Sequence, residues 1–371
     1  MRIFVATFYK NNYGSALQAF ALQHKLKQLG ADVSLIEPKN VKVKEKNIIK
    51  KLFLFFRPEK HYGPFRKVRR YIQRKIYIDK YKKINDFIEN NIKTIELDDC
   101  ISEINKENSV LLAGSDQIWS ILNHPIDGFY LFDFINSKNV KKVSYAASIG
   151  VSTLDVSQKK YFRKALQSFD AVSFRERNAY ETLKNELSNP VVRQDLDPTL
   201  LHTGKFWASV AGKRQYNRSY VFIYMLRPSN QVVRVAKRIA KKYNLDILYT
   251  GLYVNHYLGI KTIADIGVEE FLSYILNADY VVTNSFHGTV FSILFGKKFF
   301  SVKISSTSSR VENLLDIVGL SRFLISDVSD IDMVEAEYNV DYVNERLSEE
   351  RNKSLKYLKK IVEGCDWRNA N

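Results

Sequence analysis

Short apolar, β-branched runs alternate with helix-patterned segments, and this alternation restricts the fold to parallel sheets covered by helices. The opening "RIFVATF" reads as a strand. It leads through "YKNNYG" into "SALQAFALQHKLKQLG", where Leu22, Leu26 and Leu29 recur at helical spacing before Gly30 stops the helix, and "DVSLIEP" follows as a second strand. A strand, helix, strand unit of this kind places its first turn at the carboxyl edge of a sheet, where ligands collect. "SVLLAGSDQIW", "KKVSYAASIG", "FDAVSFRERNAYETLKNEL" and "PVVRQDLDPTLL" repeat the theme. After the polar "HTGKFWASVAGKRQYNRS" the pattern restarts with "YVFIYML", helix "NQVVRVAKRIAKKYN", strand "DILYTG", helix "VEEFLSYILNA", strand "DYVVTN" and helix "TVFSILFG". Two α/β domains are expected, residues 1–204 and 205–340, with a helical tail over 341–371 returning to the first. A chain of 371 residues with 45% hydrophobic content can supply both cores.

Charge narrows the partners. Lys and Arg number 57 against 40 Asp and Glu, a formal net charge of +17, which favours an anionic partner. Between Lys39 and Lys83 the chain carries 17 Lys or Arg against three acids, interleaved with "LFLFF", Tyr62, Phe65, Tyr71 and Tyr77. Such an insertion is either a solvated helical excursion or a basic, aromatic surface resting on anionic lipid headgroups. No RNP-like, zinc-finger or helix-turn-helix signature supports nucleic acid. The two cysteines, Cys100 and Cys365, form no CxxC pair, so neither a disulfide framework nor a cysteine zinc site is expected. "MRIFVATFYK" is too short in its apolar part for a secretory signal, and no apolar run reaches membrane-spanning length. A cytoplasmic protein, peripheral at the inner membrane face, is the expectation.

The chemistry concentrates at strand ends. In "TNSFHG" a strand is predicted to end at Thr283, Gly288 to make a tight turn and Thr289 to begin a helix, which puts His287 at a carboxyl-edge corner. Backbone N–H groups there attract anions, and a histidine beside them can bind phosphate or carry a proton; a plain helix-capping histidine fits the same spacing. Arg175 follows the strand "DAVSF" and suits a carboxylate or phosphate, although Glu176 and Arg177 beside it also permit a surface ion pair. Lys303 and Arg310 flank a Ser-rich loop after "KKFFSVK". In "LLAGSDQIW", Asp116 can act as a base, hold a sugar hydroxyl or cap a following helix, while Gly114 and Ser115 leave room for a ligand. GxGxxG is absent, which disfavours a nicotinamide enzyme.

"TFYKNNYGSALQAFALQHKLKQLG", "GSDQIW", "VSYAASIG", "SFRERNAYETL", "DLDPTLL", "NADYVVTNSFHGTVFSILFGKKF" and "SSRVENLL" follow the order seen in the polysaccharide pyruvyl transferase family, which the sequence resembles over about residues 1–320. The resemblance implies two Rossmann-like domains facing across a GT-B-like cleft, and transfer of pyruvate from phosphoenolpyruvate onto a sugar as a ketal. It implies Arg175, His287 and Arg310 as donor contacts, with no cofactor beyond the donor substrate; no metal cluster is apparent in the sequence. Many members have Arg-Leu-His where this chain has Ser285-Phe286-His287, so one positive charge is absent, and Lys303 is the candidate to replace it.

His287 is thus the candidate acid and Asp116 the candidate base. Asn284, Ser285, Gly288 and Lys303 join Arg175 and Arg310 on the donor side; Asn12, Tyr13, Gly14 and Ser115 form the acceptor side. The acceptor is expected to be a lipid-linked glycan. Two rivals remain at this stage: a GT-B-type glycosyltransferase whose His287 and Arg175 hold a sugar-nucleotide diphosphate, and a non-catalytic binding protein of a glycan-assembly complex.

Overall fold

The computed structural model describes residues 1–10, 12–38, 64–105, 109–121, 126–135, 140–187, 191–252, 257–303, 309–333, 336–364 and Trp367. The predicted alternation resolves into two all-parallel sheets. The first holds β1 (Arg2–Ala6), β2 (Asp32–Glu37), β3 (Thr94–Glu96), β4 (Ser109–Ala113), β5 (Lys141–Ser144), β6 (Ala171–Phe174) and β7 (Val191–Gln194), in the order β3-β2-β1-β4-β5-β6-β7. The second holds β8 (Tyr220–Met225), β9 (Asp246–Gly251), β10 (Lys261–Thr262), β11 (Tyr280–Thr283), β12 (Lys298–Val302) and β13 (Leu324–Ile325), in the order β10-β9-β8-β11-β12-β13. In each sheet the chain runs outward to one edge and then returns beside its first strand. This creates a topological switch point between β1 and β4 in the first sheet and between β8 and β11 in the second, where open α/β sheets bind ligands.

Strands buried on both faces lose the polar alternation of an exposed sheet, and β8, "YVFIYM", is buried at every position. Ile3 and Val5 of β1 share one apolar cluster with Val221 and Ile223 of the second sheet, whereas Phe4 and Ala6 point into a separate cluster with Leu111, Trp119 and Phe174. The inner face of the first sheet is therefore continuous with the core of the second. The helix Tyr13–Gln28 makes the seam: Tyr13 stacks on Phe271 at 4.6 Å between ring centres and its hydroxyl donates to the Ile266 carbonyl at 3.0 Å. The helix Val340–Glu363 crosses back, its Tyr357 hydroxyl donating to Ser144 O at 2.8 Å while Arg346 donates to Ile317 O at 3.0 Å.

Three local expectations change. The helix after β11 begins at Phe286, not Thr289, because Ser285 caps it by accepting from Gly288 N at 3.4 Å; Gly288 lies in the first helical turn and makes no tight turn. Asp116 starts no α-helix among the described residues; it instead holds φ at 65° and accepts from Gln117 N at 2.8 Å, a left-handed conformation that aspartate tolerates. In the basic insertion, residues 39–63 lie outside the described residues, Lys50, Lys51, Phe53, Phe55 and Phe56 among them. Residues Pro64–Asn91 form one long helix, and its lysines reach the second sheet: Lys80 Nζ donates to Gly251 O at 2.6 Å and Lys83 pairs with Glu270 at 3.1 Å. Those two lysines face protein, so they belong to no lipid-facing surface. Among the described residues no helix is long and apolar enough to cross a membrane.

Candidate active site

The carboxyl ends of β1, β4, β6 and β11 bring their loops to one place. His287 enters from the second sheet, in the first turn of the helix Phe286–Leu294, and its imidazole lies flat on Gly14 at the start of the helix Tyr13–Gln28, so closely that a Cβ at Gly14 would overlap the ring. Next to Gly14, Ser15 Oγ donates to Asp116 Oδ2 at 2.7 Å, which ties the ends of β1 and β4 together at the first switch point. At the second, Asn284 accepts from Leu226 N at 3.0 Å and donates to Arg227 O at 2.8 Å, joining the ends of β8 and β11.

Arg175 is almost fully buried and donates from Nη1 to Asp197 Oδ2 at 2.8 Å. Its guanidinium stands 4.8 Å over the Phe286 ring, and its Nε and Nη2 have no hydrogen-bond partner among the described residues. The surface ion pair considered for this segment belongs to Arg177, which meets Asp316 at 2.9 Å in the open. Asp197 is wholly buried; its Oδ1 accepts from Thr199 N at 3.0 Å and Thr199 Oγ1 at 2.6 Å, and its Oδ2 also faces His287 Nε2 at 3.7 Å. Burial works against the Asp197 charge, but His287 and Arg175 outweigh it and hold the carboxyl well below the usual range. Arg310, on the helix Ser309–Ile317, completes the group: with the Gln117 amide turned to accept, both of its Nη atoms donate to that oxygen at 2.6 Å. Burial and the neighbouring Arg175 push Arg310 down to about 10, so it stays a cation at neutral pH. Glu176, also buried, accepts Ser148 Oγ at Oε1, while its Oε2 has no partner among the described residues.

The structure thus gathers His287, Arg175, Arg310, Asp116 and Gly14, with Ser285 capping the helix that carries the histidine. Gly288 is required there because a Cβ would run into Thr283 Oγ1. Other candidates sit elsewhere. Tyr13 is a buried wedge between the two sheets, with its ring on Phe271 and Lys80 Nζ 4.7 Å from its centre, and cannot serve as an acceptor contact. Ser115 is fully buried, its hydroxyl spent on Ala146 O at 2.8 Å. Lys303 is half-exposed and paired with Glu312 at 2.8 Å. Asn12 caps the helix Tyr13–Gln28, accepting from Ser15 N at 3.1 Å. Asp197, Glu176, Ser15 and Gln117 are neighbours that sequence reasoning did not nominate. The signal for Asp197 was weak: it lies three residues past the end of β7 in "DLDPTLL", whereas Arg175 directly follows β6.

Chemically, two cationic forks with fixed geometry, a helix N-terminus with no acidic residue in its first turn and an imidazole form a site for an anion. The carboxylates of Asp116 and Glu176 provide proton acceptors beside it. Among the described residues no group of three or more His, Cys, Asp or Glu is placed to hold a metal ion.

A family model described as polysaccharide pyruvyl transferase matches residues 12–306. No curated protein matches the sequence. Among solved structures, a Listeria monocytogenes protein assigned as a UDP-N-acetylglucosamine 2-epimerase aligns at a TM-score of 0.54 with 10% identity, over 99% of this chain and 97% of that one. The UDP-GlcNAc 2-epimerase of Methanocaldococcus jannaschii, in complex with UDP-GlcNAc and UDP, aligns at 0.49 with 14% identity, over 98% of this chain and all (100%) of that one. At such identities the likeness bears on the fold alone, which is GT-B-like α/β.

Proposed function

Because the chain belongs to the polysaccharide pyruvyl transferase family, we propose that it moves pyruvate from phosphoenolpyruvate onto two hydroxyls of one sugar in a glycan precursor, forming a ketal. The observation that carries this reading is the meeting of Arg175 and Arg310, from opposite sheets, beside His287, with two buried nitrogens of Arg175 left to donate. Phosphoenolpyruvate carries a carboxylate and a phosphate, one anion for each fork.

In the proposed reaction His287 delivers a proton to the methylene carbon, which leaves C2 electron-poor. A sugar hydroxyl adds to C2 and gives up its proton to Asp116. Phosphate then departs with the C2–O bond's electron pair, and a second hydroxyl closes the ketal as its proton leaves with phosphate. The acceptor we assign is a lipid-linked sugar at the inner membrane face, a reading supported by the 14 Lys or Arg against two acids between Lys39 and Lys75, a stretch that leaves out the protein-facing Lys80 and Lys83.

Thermal shift of the purified protein with phosphoenolpyruvate and, separately, with UDP-sugars tests the donor, since a ligand at 100 times its Kd adds ~2.7 kcal/mol of stability. Stabilisation by phosphoenolpyruvate, with a pyruvate ketal in the mass spectrum of the surface glycan only when the protein is present, is the expected outcome. A response to UDP-sugars alone would make the protein a glycosyltransferase, and no response with an unchanged glycan would make it a binding protein.

A further inference from the structure

We infer that Asp197 is a positioning residue that holds Arg175 of the first sheet and His287 of the second on one carboxylate oxygen, so that the anion-binding fork and the imidazole are set together by the docking of the two sheets. The inference deepens the reaction proposed above and rests on it for its kinetic arm only.

Asp197 is 1% exposed; its three hydrogen bonds, from Arg175 and Thr199, are directional, whereas His287 Nε2 faces it as a charge contact beyond hydrogen-bond reach and has no hydrogen-bond partner among the described residues. Oδ1 is occupied by the Thr199 amide at 3.0 Å and the Thr199 hydroxyl at 2.6 Å, which fixes the plane of the carboxylate. Oδ2 is left to Arg175 Nη1 at 2.8 Å and His287 Nε2 at 3.7 Å. Because Nη1 is held there, Nε and Nη2 of Arg175 remain the donors without a partner among the described residues. His287 is confined from its other face as well: the ring rests on Gly14, another residue of the first sheet's domain edge. The imidazole therefore comes from one sheet while both surfaces that orient it come from the other.

The test uses 15N-histidine-labelled full-length protein and four forms: wild type, Asp197→Asn, His287→Ala, and the two changes together. In Asp197→Asn the ring-nitrogen signals of His287, identified by their absence in His287→Ala, move, while those of the other histidines stay in place. With phosphoenolpyruvate and acceptor, Asp197→Asn lowers kcat by about 10²-fold, in the range of a lost acid–base group. Adding it to His287→Ala lowers the rate by less than about 3-fold more, since groups that act as a unit are not additive. An unmoved His287 signal, or losses that multiply in full, would overturn the inference. If wild type shows no turnover with phosphoenolpyruvate, the proposed reaction fails while the NMR comparison still decides the role of Asp197. Should Asp197→Asn not fold because Arg175 is left as an uncompensated buried charge, Arg175→Met with Asp197→Asn removes both charges and carries the same spectral comparison.

Discussion

His287 can occupy its place only because residue 14 has no side chain. Gly14→Ala puts a methyl into the imidazole, so the ring must swing away from Asp197 while the helix Tyr13–Gln28, which gains a better helix former, keeps its shape. The expected result is a kcat reduced by about 10-fold or more, as for a displaced general acid, with melting near that of wild type; unchanged turnover would mean that the ring position does not matter. Arg175→Lys should restore only part of the donor affinity lost in Arg175→Ala. A lysine supplies a point charge without the fork that binds Asp197 and an anion at once, and full recovery of KM by lysine would refute that role. At this scale the sequence exposed His287 and Arg175 because each is a polar residue standing close after an apolar run, and Arg310 because it closes the Ser-rich loop that follows "KKFFSVK". It hid Asp197, since an aspartate before a proline reads as a turn residue, and it misplaced Tyr13, whose burial depends on Phe271 and Ile266 more than 250 positions away.

Among elements, strands were more legible than helix starts. β1, β2, β6, β8 and β11 fall where apolar runs bounded by polar residues predict them, because parallel strands covered on both faces need such runs. The helix carrying His287 starts three residues before the predicted Thr289 because Ser285 supplies the cap, and the glycine that suggested a turn is there for clearance against Thr283. Ser285→Ala removes that cap and should lower stability by about 1 kcal/mol, measured by denaturant unfolding, and should lower activity further because the loosened first turn carries His287. Loss of stability with no loss of activity would separate the cap from the site. The long basic helix Pro64–Asn91 teaches the same lesson from the other side: its composition suggested a surface, but Lys80 and Lys83 are spent on the second sheet. Composition reports charge; it does not report which neighbour neutralises it.

For the whole molecule, the two-sheet plan was readable because the apolar pattern stops at residue 202 and restarts at Tyr220, whereas the seam between the sheets was not, since its contacts join residues far apart in the chain. His202 sits on that crossover, 3% exposed. It follows the short helix Pro198–Leu201, its Nε2 lies 3.1 Å from Ala21 O, and its ring stacks on Phe206 at 4.1 Å. Burial, and then the nearby Lys25, His24 and Arg351, push it down to about 3. In the unfolded chain a histidine titrates near its ordinary ~6.5. Between those two values the unfolded chain binds a proton that the folded chain refuses, so stability rises with pH across the window and is lost as pH falls from about 6.5 towards 3. For a fully buried group this amounts to on the order of 3 kcal/mol between pH 6.5 and pH 4. His202→Gln keeps an amide nitrogen for the Ala21 carbonyl and does not titrate, so denaturant unfolding of the variant should show a shallower loss of stability over that range than wild type. Parallel curves for the two proteins would mean that acid sensitivity arises elsewhere. A shallower curve would place it at the crossover, where the Pro198–Leu201 turn that carries Asp197 towards His287 leaves the first sheet for the second.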